Sequence, residues 1–264
     1  MKVAIFETGH EISNKICRTV ADACGFDLYN LQKNAPNLFR HDAVLAYGIL
    51  RGTAELFKAH PHWFCIDKGF WNAEHYEGLY RFAYRNTQPL YGQYQTPQAD
   101  HGQILQPWRD TGYTLICPPT EHVCEFFGVN GWEWAHRTTN HEQANNTEWR
   151  LRPKSDEGTP IDWDNIGKLV TFNSSLGFEA LKRGIPVISD PDHSTIGSFQ
   201  KNAIDPTNRD ELFSFASGHM KKLTDREGIW SIVNQYISGG IPVKPLPRTS
   251  YATRFSAELP AEWT

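Results

Sequence analysis

A chain of 264 residues is long enough to bury one large core or two smaller ones. Its 26 basic and 30 acidic side chains leave a formal charge of −4, with no basic tail and no block of like charge. That balance excludes a protein that grips duplex DNA by wide phosphate neutralisation, while leaving room for one local basic groove.

The N-terminus, Met1-Lys2-Val3-Ala4-Ile5-Phe6, reaches Glu7 too early for a secretory leader, and no apolar run of about 18 residues follows. The expectation is a cytoplasmic chain without a membrane span. Val3–Phe6 reads as a first buried strand. Ser13–Cys24 reads as a helix with Ile16, Val20 and Ala23 on one face. Asp42–Tyr47 is a predicted strand ending at Gly48, Thr53–Ala59 a short helix, and His62–Ile66 a third strand running into Asp67-Lys68-Gly69. Residues 70–112, rich in Tyr, Trp, Asn, Gln and Gly, carry little periodicity and read as a long loop or an irregular insertion, of the kind that more often carries function.

A new series begins with the strand Tyr113–Cys117, closed by Pro118-Pro119, with Thr120 and Glu121 opening a helix. Residues 130–145 read as a polar helix bearing Trp132, Trp134, His136 and Asn140. Glu148–Leu151 is a strand leading to Arg152-Pro153-Lys154, and residues 155–165 form an acidic loop. A βαβ unit follows: Leu169–Phe172, a turn at Asn173-Ser174-Ser175, a short helix through Leu181 that stops at Gly184, and the strand Pro186-Val187-Ile188. Helices are predicted within Asp205–Ser217 and Thr224–Ile237, and residues 241–264 form a proline-punctuated tail. Alternating strands and helices predict an α/β protein of two Rossmann-like halves with a cleft between them, residues 1–110 and 111–240, and a tail that can cross back. One continuous doubly wound sheet is the alternative.

The five cysteines, Cys17, Cys24, Cys65, Cys117 and Cys124, are odd in number and form no Cys-x-x-Cys pair, so buried, reduced thiols are expected. The eleven histidines show no ligand spacing, and no metal is expected. Aromatic side chains make up 13% of the chain, with nine tryptophans, enough to supply core and stacking platforms alike.

The turn Asn173-Ser174-Ser175 aims a helix N-terminus above the sheet, which suits a phosphate. Arg152 and Lys154 follow a neighbouring strand and are the expected cationic partners. Glu179 shares a helix face with Ser175. The stretch Ser174-Ser175-Leu176-Gly177-Phe178-Glu179-Ala180-Leu181, with Ser174 or Ser175 as its leading serine and with Gly184, Pro186 and Val187, resembles the nucleotide-binding half of GT-B glycosyltransferases. It is similar in particular to capsule-type Kdo transferases and their phage-encoded relatives, whose pattern is Ser-x-x-Gly-Phe-Glu-Ala-Leu-x-x-Gly-x-Pro-Val. The close match spans about 25 residues. Arg152-Pro153-Lys154 resembles that family's basic-proline-basic turn, although Arg-Pro-Lys-Ser stands where Lys-Pro-His-Pro is frequent.

The resemblance implies a metal-independent transferase that needs no cofactor beyond a nucleotide-sugar co-substrate. It implies that Glu179 holds the ribose hydroxyls, and that the acceptor is a saccharide or a hydroxymethylated pyrimidine in phage DNA. Around Asp67, the run Asp67-Lys68-Gly69-Phe70-Trp71 with His75, Gly78, Tyr80 and Arg81 resembles a pattern of the phage-encoded relatives. Asp67, at a strand's carboxyl edge, is the expected base, with Tyr80 and Arg81 on the acceptor side. His10 or Glu11, after the first strand, is the other candidate base, and Gly9 permits close approach of a ligand. The first loop lacks Gly-x-Gly-x-x-Gly, which argues against an NAD enzyme. A nucleotide-binding module that performs no transfer is the competing reading.

Overall fold

The computed structural model describes residues 1–32, 40–71, 78–92, 99–109, 111–156 and 158–238. The chain divides into two compact units. Met1–His101 and the described residues from Glu211 onward make the first, and Gly102–Asp210 makes the second.

In the first unit, β1 (Val3–Glu7) is fully buried and lies between two parallel neighbours, β2 (Asp27–Asn30) and β3 (Ala43–Tyr47). Parallel β4 (Trp63–Lys68) extends the sheet beyond β3, and β5 (Tyr80–Tyr84) turns back antiparallel to β4. Between β1 and β2 runs α1 (Glu11–Cys24), which buries Ile16, Cys17, Val20 and Cys24 and ends where Gly25 takes φ 71° and donates its N–H to the Ala21 carbonyl. α2 (Thr53–Ala59) connects β3 to β4.

In the second unit all strands are parallel, in the order β7-β6-β8-β9. They are β6 (Tyr113–Cys117), β7 (Trp149–Leu151), β8 (Ile166–Thr171) and β9 (Val187–Ser189). α3 (Glu121–Phe127) and α4 (Gly131–Ala144) link β6 to β7, α5 (Leu176–Lys182) links β8 to β9, and α6 (Thr195–Asn202) follows β9. Two short 3-10 turns, Lys154–Asp156 and Trp163–Asn165, occupy the acidic loop.

The chain then returns to the first unit through α7 (Arg209–Gly218), β10 (Met220–Lys221) and α8 (Arg226–Ser238). β10 pairs antiparallel with β5, so the first sheet reads β10-β5-β4-β3-β1-β2. Ile229, Ile232, Val233 and Tyr236 of α8 join the core of Ile5, Leu45, Phe64 and Phe82, and Trp230 Nε1 donates to the Cys24 carbonyl at 3.0 Å.

The two sheets are separate, as the reading of two halves expects, and the alternative of one continuous sheet falls away. The units are bounded differently from 1–110 and 111–240. Residues 211–238 belong to the first unit, because the buried stripe of α8 is needed to cover that sheet. Residues 102–109 belong to the second, where Gln106 and Arg109 N–H groups bond the carbonyls of Lys182 and Gly184, each at 2.8 Å. The tail 241–264 lies outside the described residues. All five cysteines are free and buried, and burial pushes the thiols of Cys17 and Cys117 up to about 12 and those of Cys24 and Cys124 to about 11. None is poised as a nucleophile.

Candidate functional site

In each unit the carboxyl ends of the parallel strands collect polar side chains, which is where open α/β sheets hold ligands. In the first unit the loop after β1 carries Gly9, His10 and Glu11. Gly9 takes φ 81°, and its N–H bonds Asn14 Oδ1 at 3.0 Å. His10 opens α1 through its carbonyl, which accepts from Asn14 N at 2.8 Å, while its ring makes no capping bond. Glu11 is exposed in the first turn. The carboxylate buried at this edge is Glu7, whose Oε2 lies 2.8 Å from Arg18 Nε and whose Oε1 accepts from Asn30 Nδ2 at 3.3 Å.

Asp67, Tyr80 and Arg81 do come together. The antiparallel register sets Asp67 opposite Arg81 and Lys68 opposite Tyr80. Asp67 Oδ2 is ion-paired with Arg81, and its Oδ1 accepts from Lys68 N at 2.8 Å. Arg81 also donates to the carbonyls of Thr87 and Lys68, both at 3.0 Å, and lies over the Phe70 ring at 5.0 Å. Tyr47 closes the group from the end of β3, its ring 6.5 Å from that of Tyr80. Burial first, and then the Asp67 charge, push the Tyr47 hydroxyl well above its ordinary value. Each Asp67 oxygen thus has a partner, Arg81 on one and the Lys68 N–H on the other, and about a third of the side chain stays exposed. His75, from the same pattern, lies outside the described residues.

In the second unit β7 and β8 flank β6, so Arg152 and Asn173 follow strands two places apart, about 10 Å at ordinary strand spacing. Arg152 extends the ladder by donating its N–H to the Ile116 carbonyl at 2.8 Å, and its guanidinium reaches the Thr159 carbonyl at 2.8 Å. That cation works against the burial that raises the Cys117 thiol at the end of β6. Lys154 is exposed, in the 3-10 turn just beyond.

The serines divide their work. Ser174 N–H bonds Thr171 Oγ1 at 3.1 Å, and Ser174 Oγ accepts from Leu176 N at 3.3 Å, so Ser174 is the capping side chain. Ser175 already has helical angles, φ −62° and ψ −18°, and makes no side-chain cap bond. Glu179 has a partner of its own on the helix. Its Oε1 pairs with Arg183 Nε at 2.7 Å, one turn on, so the carboxylate is drawn to the C-terminal end of α5.

Missed in the sequence is a pair at the end of β9. Asp190 Oδ1 meets His193 Nδ1 at 2.7 Å and also accepts from Asp192 N at 3.0 Å. Burial works to raise the Asp190 carboxyl. The hydrogen bond and charge of His193, with the N–H groups of Asp192 and His193, outweigh it and hold the carboxyl below its usual value. The only sequence signal was Asp-x-x-His directly after a predicted strand, and Asp-Pro-Asp reads first as a turn. Among the described residues no group of three or more His, Cys, Asp or Glu side chains could hold a metal ion, and no helix is long and apolar enough to cross a membrane.

Two Rossmann-like α/β units, each with a polar carboxyl edge, define the class of molecule. Two solved structures of KpsC from Thermosulfurimonas dismutans are similar in fold. The one described as a beta Kdo 2,4 transferase shares 13% identity, covering 90% of this chain and 98% of that chain at a TM-score of 0.48. The other, described as a beta Kdo 2,7 transferase, shares 13% identity over 89% of this chain and 99% of its own, also at 0.48. No protein-family model and no curated protein matches the sequence.

Proposed function

We propose that the chain is a glycosyltransferase of GT-B type that moves a sugar from a nucleotide-activated donor to a hydroxyl acceptor. The observation that carries this reading is the parallel second sheet, which brings Arg152 and the Asn173-Ser174-Ser175 turn to one carboxyl edge. The Ser-x-x-Gly-Phe-Glu-Ala-Leu resemblance supports a sugar nucleotide as the ligand. Arg152, Lys154 and the Asn173-Ser174-Ser175 turn meet the phosphate that leaves, without a metal. Glu179 takes the ribose after parting from Arg183. The edge of the first unit, with Gly9, His10, Glu11, Tyr80 and Arg81, receives the acceptor, and Asp67 fixes Arg81 there.

A screen of nucleotides by thermal shift, followed by calorimetry on the best, tests the reading. Arg152→Ala should weaken nucleotide binding by about 1.5–3 kcal/mol, with a smaller loss for Lys154→Ala, while binding of the nucleoside barely changes. Equal losses for nucleotide and nucleoside would remove the phosphate assignment. Saccharide and hydroxymethylated-DNA acceptors are then offered with the donor, and the one that accelerates nucleotide release names the acceptor. One observation favours the competing reading of a nucleotide-binding module: Asp67 and Glu179 both stand in ion pairs. Tight binding without turnover on any acceptor would establish it.

A further inference from the structure

We infer that Asp190 and His193 form a proton-accepting dyad at the carboxyl edge of the second sheet, acting on the hydroxyl that attacks the donor sugar. The inference rests on the transfer reading above.

Three features set the pair apart from an ordinary turn. The imidazole is oriented at Nδ1 by a carboxylate 2.7 Å away, which is itself fixed by the Asp192 N–H. The ring is clamped, stacked on Phe172 at 5.1 Å and 24° and flanked by Phe127 at 4.4 Å and 59°. About a quarter of each side chain stays exposed, and Nε2, on the far edge of the ring, has no partner among the described residues.

The turn does not need the histidine. Ser194 N bonds the Asp190 carbonyl, Asp190 N and Ser189 Oγ both bond the Phe172 carbonyl, and Ser194 Oγ caps α6. A neutral imidazole that donates Nδ1–H to a carboxylate presents a basic lone pair at Nε2. This is the base-and-orienter half of a catalytic triad, with the substrate hydroxyl in the nucleophile's place.

The step balances. The hydroxyl oxygen bonds to the anomeric carbon as the bond from that carbon to the phosphate oxygen breaks. The electron pair leaves with the phosphate, and the hydroxyl proton ends on Nε2. The imidazolium formed is neutralised by Asp190. The charged group that meets the ring is Asp190, whose charge is felt in turn by Lys201, itself paired with Asp192 at 2.9 Å; Phe127 of α3 and Phe172, just after β8, turn aromatic rings to the imidazole.

Nitrogen NMR of the full chain reads the tautomer, and nucleotide release from donor plus acceptor reads the chemistry. In the wild type, near neutral pH, the proton should sit on Nδ1 with Nε2 bare. His193→Gln should lower kcat about 100-fold with donor KM and melting temperature little changed. Asp190→Asn should lower kcat by about 10-fold and displace the acidic limb of its pH profile. A proton on Nε2, a His193→Gln kcat within about threefold of wild type, or a loss confined to KM would each overturn the dyad. Wild type that binds nucleotide yet releases none from any donor ends the transfer reading, and the dyad with it. Turnover that is indifferent to both variants ends the dyad alone.

Discussion

Arg81 keeps only a tenth of its side chain exposed, so its charge depends on the partners that meet it. Asp67 neutralises it, and the carbonyls of Thr87 and Lys68 take two of its remaining donors. Removing the carboxylate leaves a nearly buried cation, so Asp67→Ala should cost about 2 kcal/mol in urea unfolding, reduced from the fully buried case because Asp67 is partly solvated. Asp67→Asn, which can still accept from Arg81, should cost much less. A second residue-scale competition involves Glu179, held by Arg183 at 2.7 Å on a half-exposed helix face. If the ribose must draw Glu179 away, Arg183→Ala should leave ribonucleotide affinity intact or raise it a few-fold. Glu179→Gln should erase the preference for ribose over 2′-deoxyribose donors in calorimetry. Arg183→Ala that weakens binding would mean that Arg183 itself touches the ligand.

At the scale of elements, what could be read in the sequence follows the local signal. Thr53–Ala59 and Tyr113–Cys117 fall where the sequence places them, because their patterns and flanking turn residues agree. β2 carries little strand signal because Asp27-Leu28-Tyr29-Asn30 lies at the sheet edge with its first residues exposed. β5 is hard to see in the sequence because it lies within the polar, weakly periodic stretch 70–112 and buries a charge, Arg81, against Asp67 of the neighbouring strand. α6 was hidden by Ser194-Thr195-Ile196-Gly197-Ser198, which resembles a turn. Gly197 is there for space, since a Cβ would collide with the Asp190 carbonyl beneath α6. Helix propensity alone favours Gly197→Ala by about 1 kcal/mol. The clash is with backbone and cannot swing aside, so the substitution should destabilise, and it should loosen the His193 turn as well. A variant that melts higher than wild type would show that α6 shifts freely. Candidate site residues are legible where they follow a predicted strand, as Asp67 and Arg152 do, or where a motif resemblance marks them, as for Glu179, Tyr80 and Arg81. Glu179's partner and the Asp190–His193 pair depend on rotamers that no pattern of residue types specifies.

For the whole molecule, the decisive feature is that the first unit is completed by chain that has already traversed the second. β10 and α8 supply an edge strand and part of the core, so a chain ending at Asp210 should fail to give a folded first unit. His219 sits at that closure, its Nε2 2.7 Å from the Tyr236 hydroxyl of α8 and its Nδ1 3.2 Å from the Phe215 carbonyl of α7. Burial pushes its imidazole down from 6.5 to about 4. Between those values the unfolded chain binds the proton and the folded chain does not, so stability rises with pH across the window and is lost as pH falls through it. From pH 7 to pH 5 this one group should remove about 2 kcal/mol. Other groups titrate over the same range, so the comparison is with His219→Gln, whose side chain can bond Tyr236 but cannot charge. That variant should be less stable at neutral pH and should lose less on acidification. Its urea midpoint should therefore converge on that of the wild type near pH 5. Parallel pH profiles for the two proteins would mean that His219 does not set the acid sensitivity of the fold.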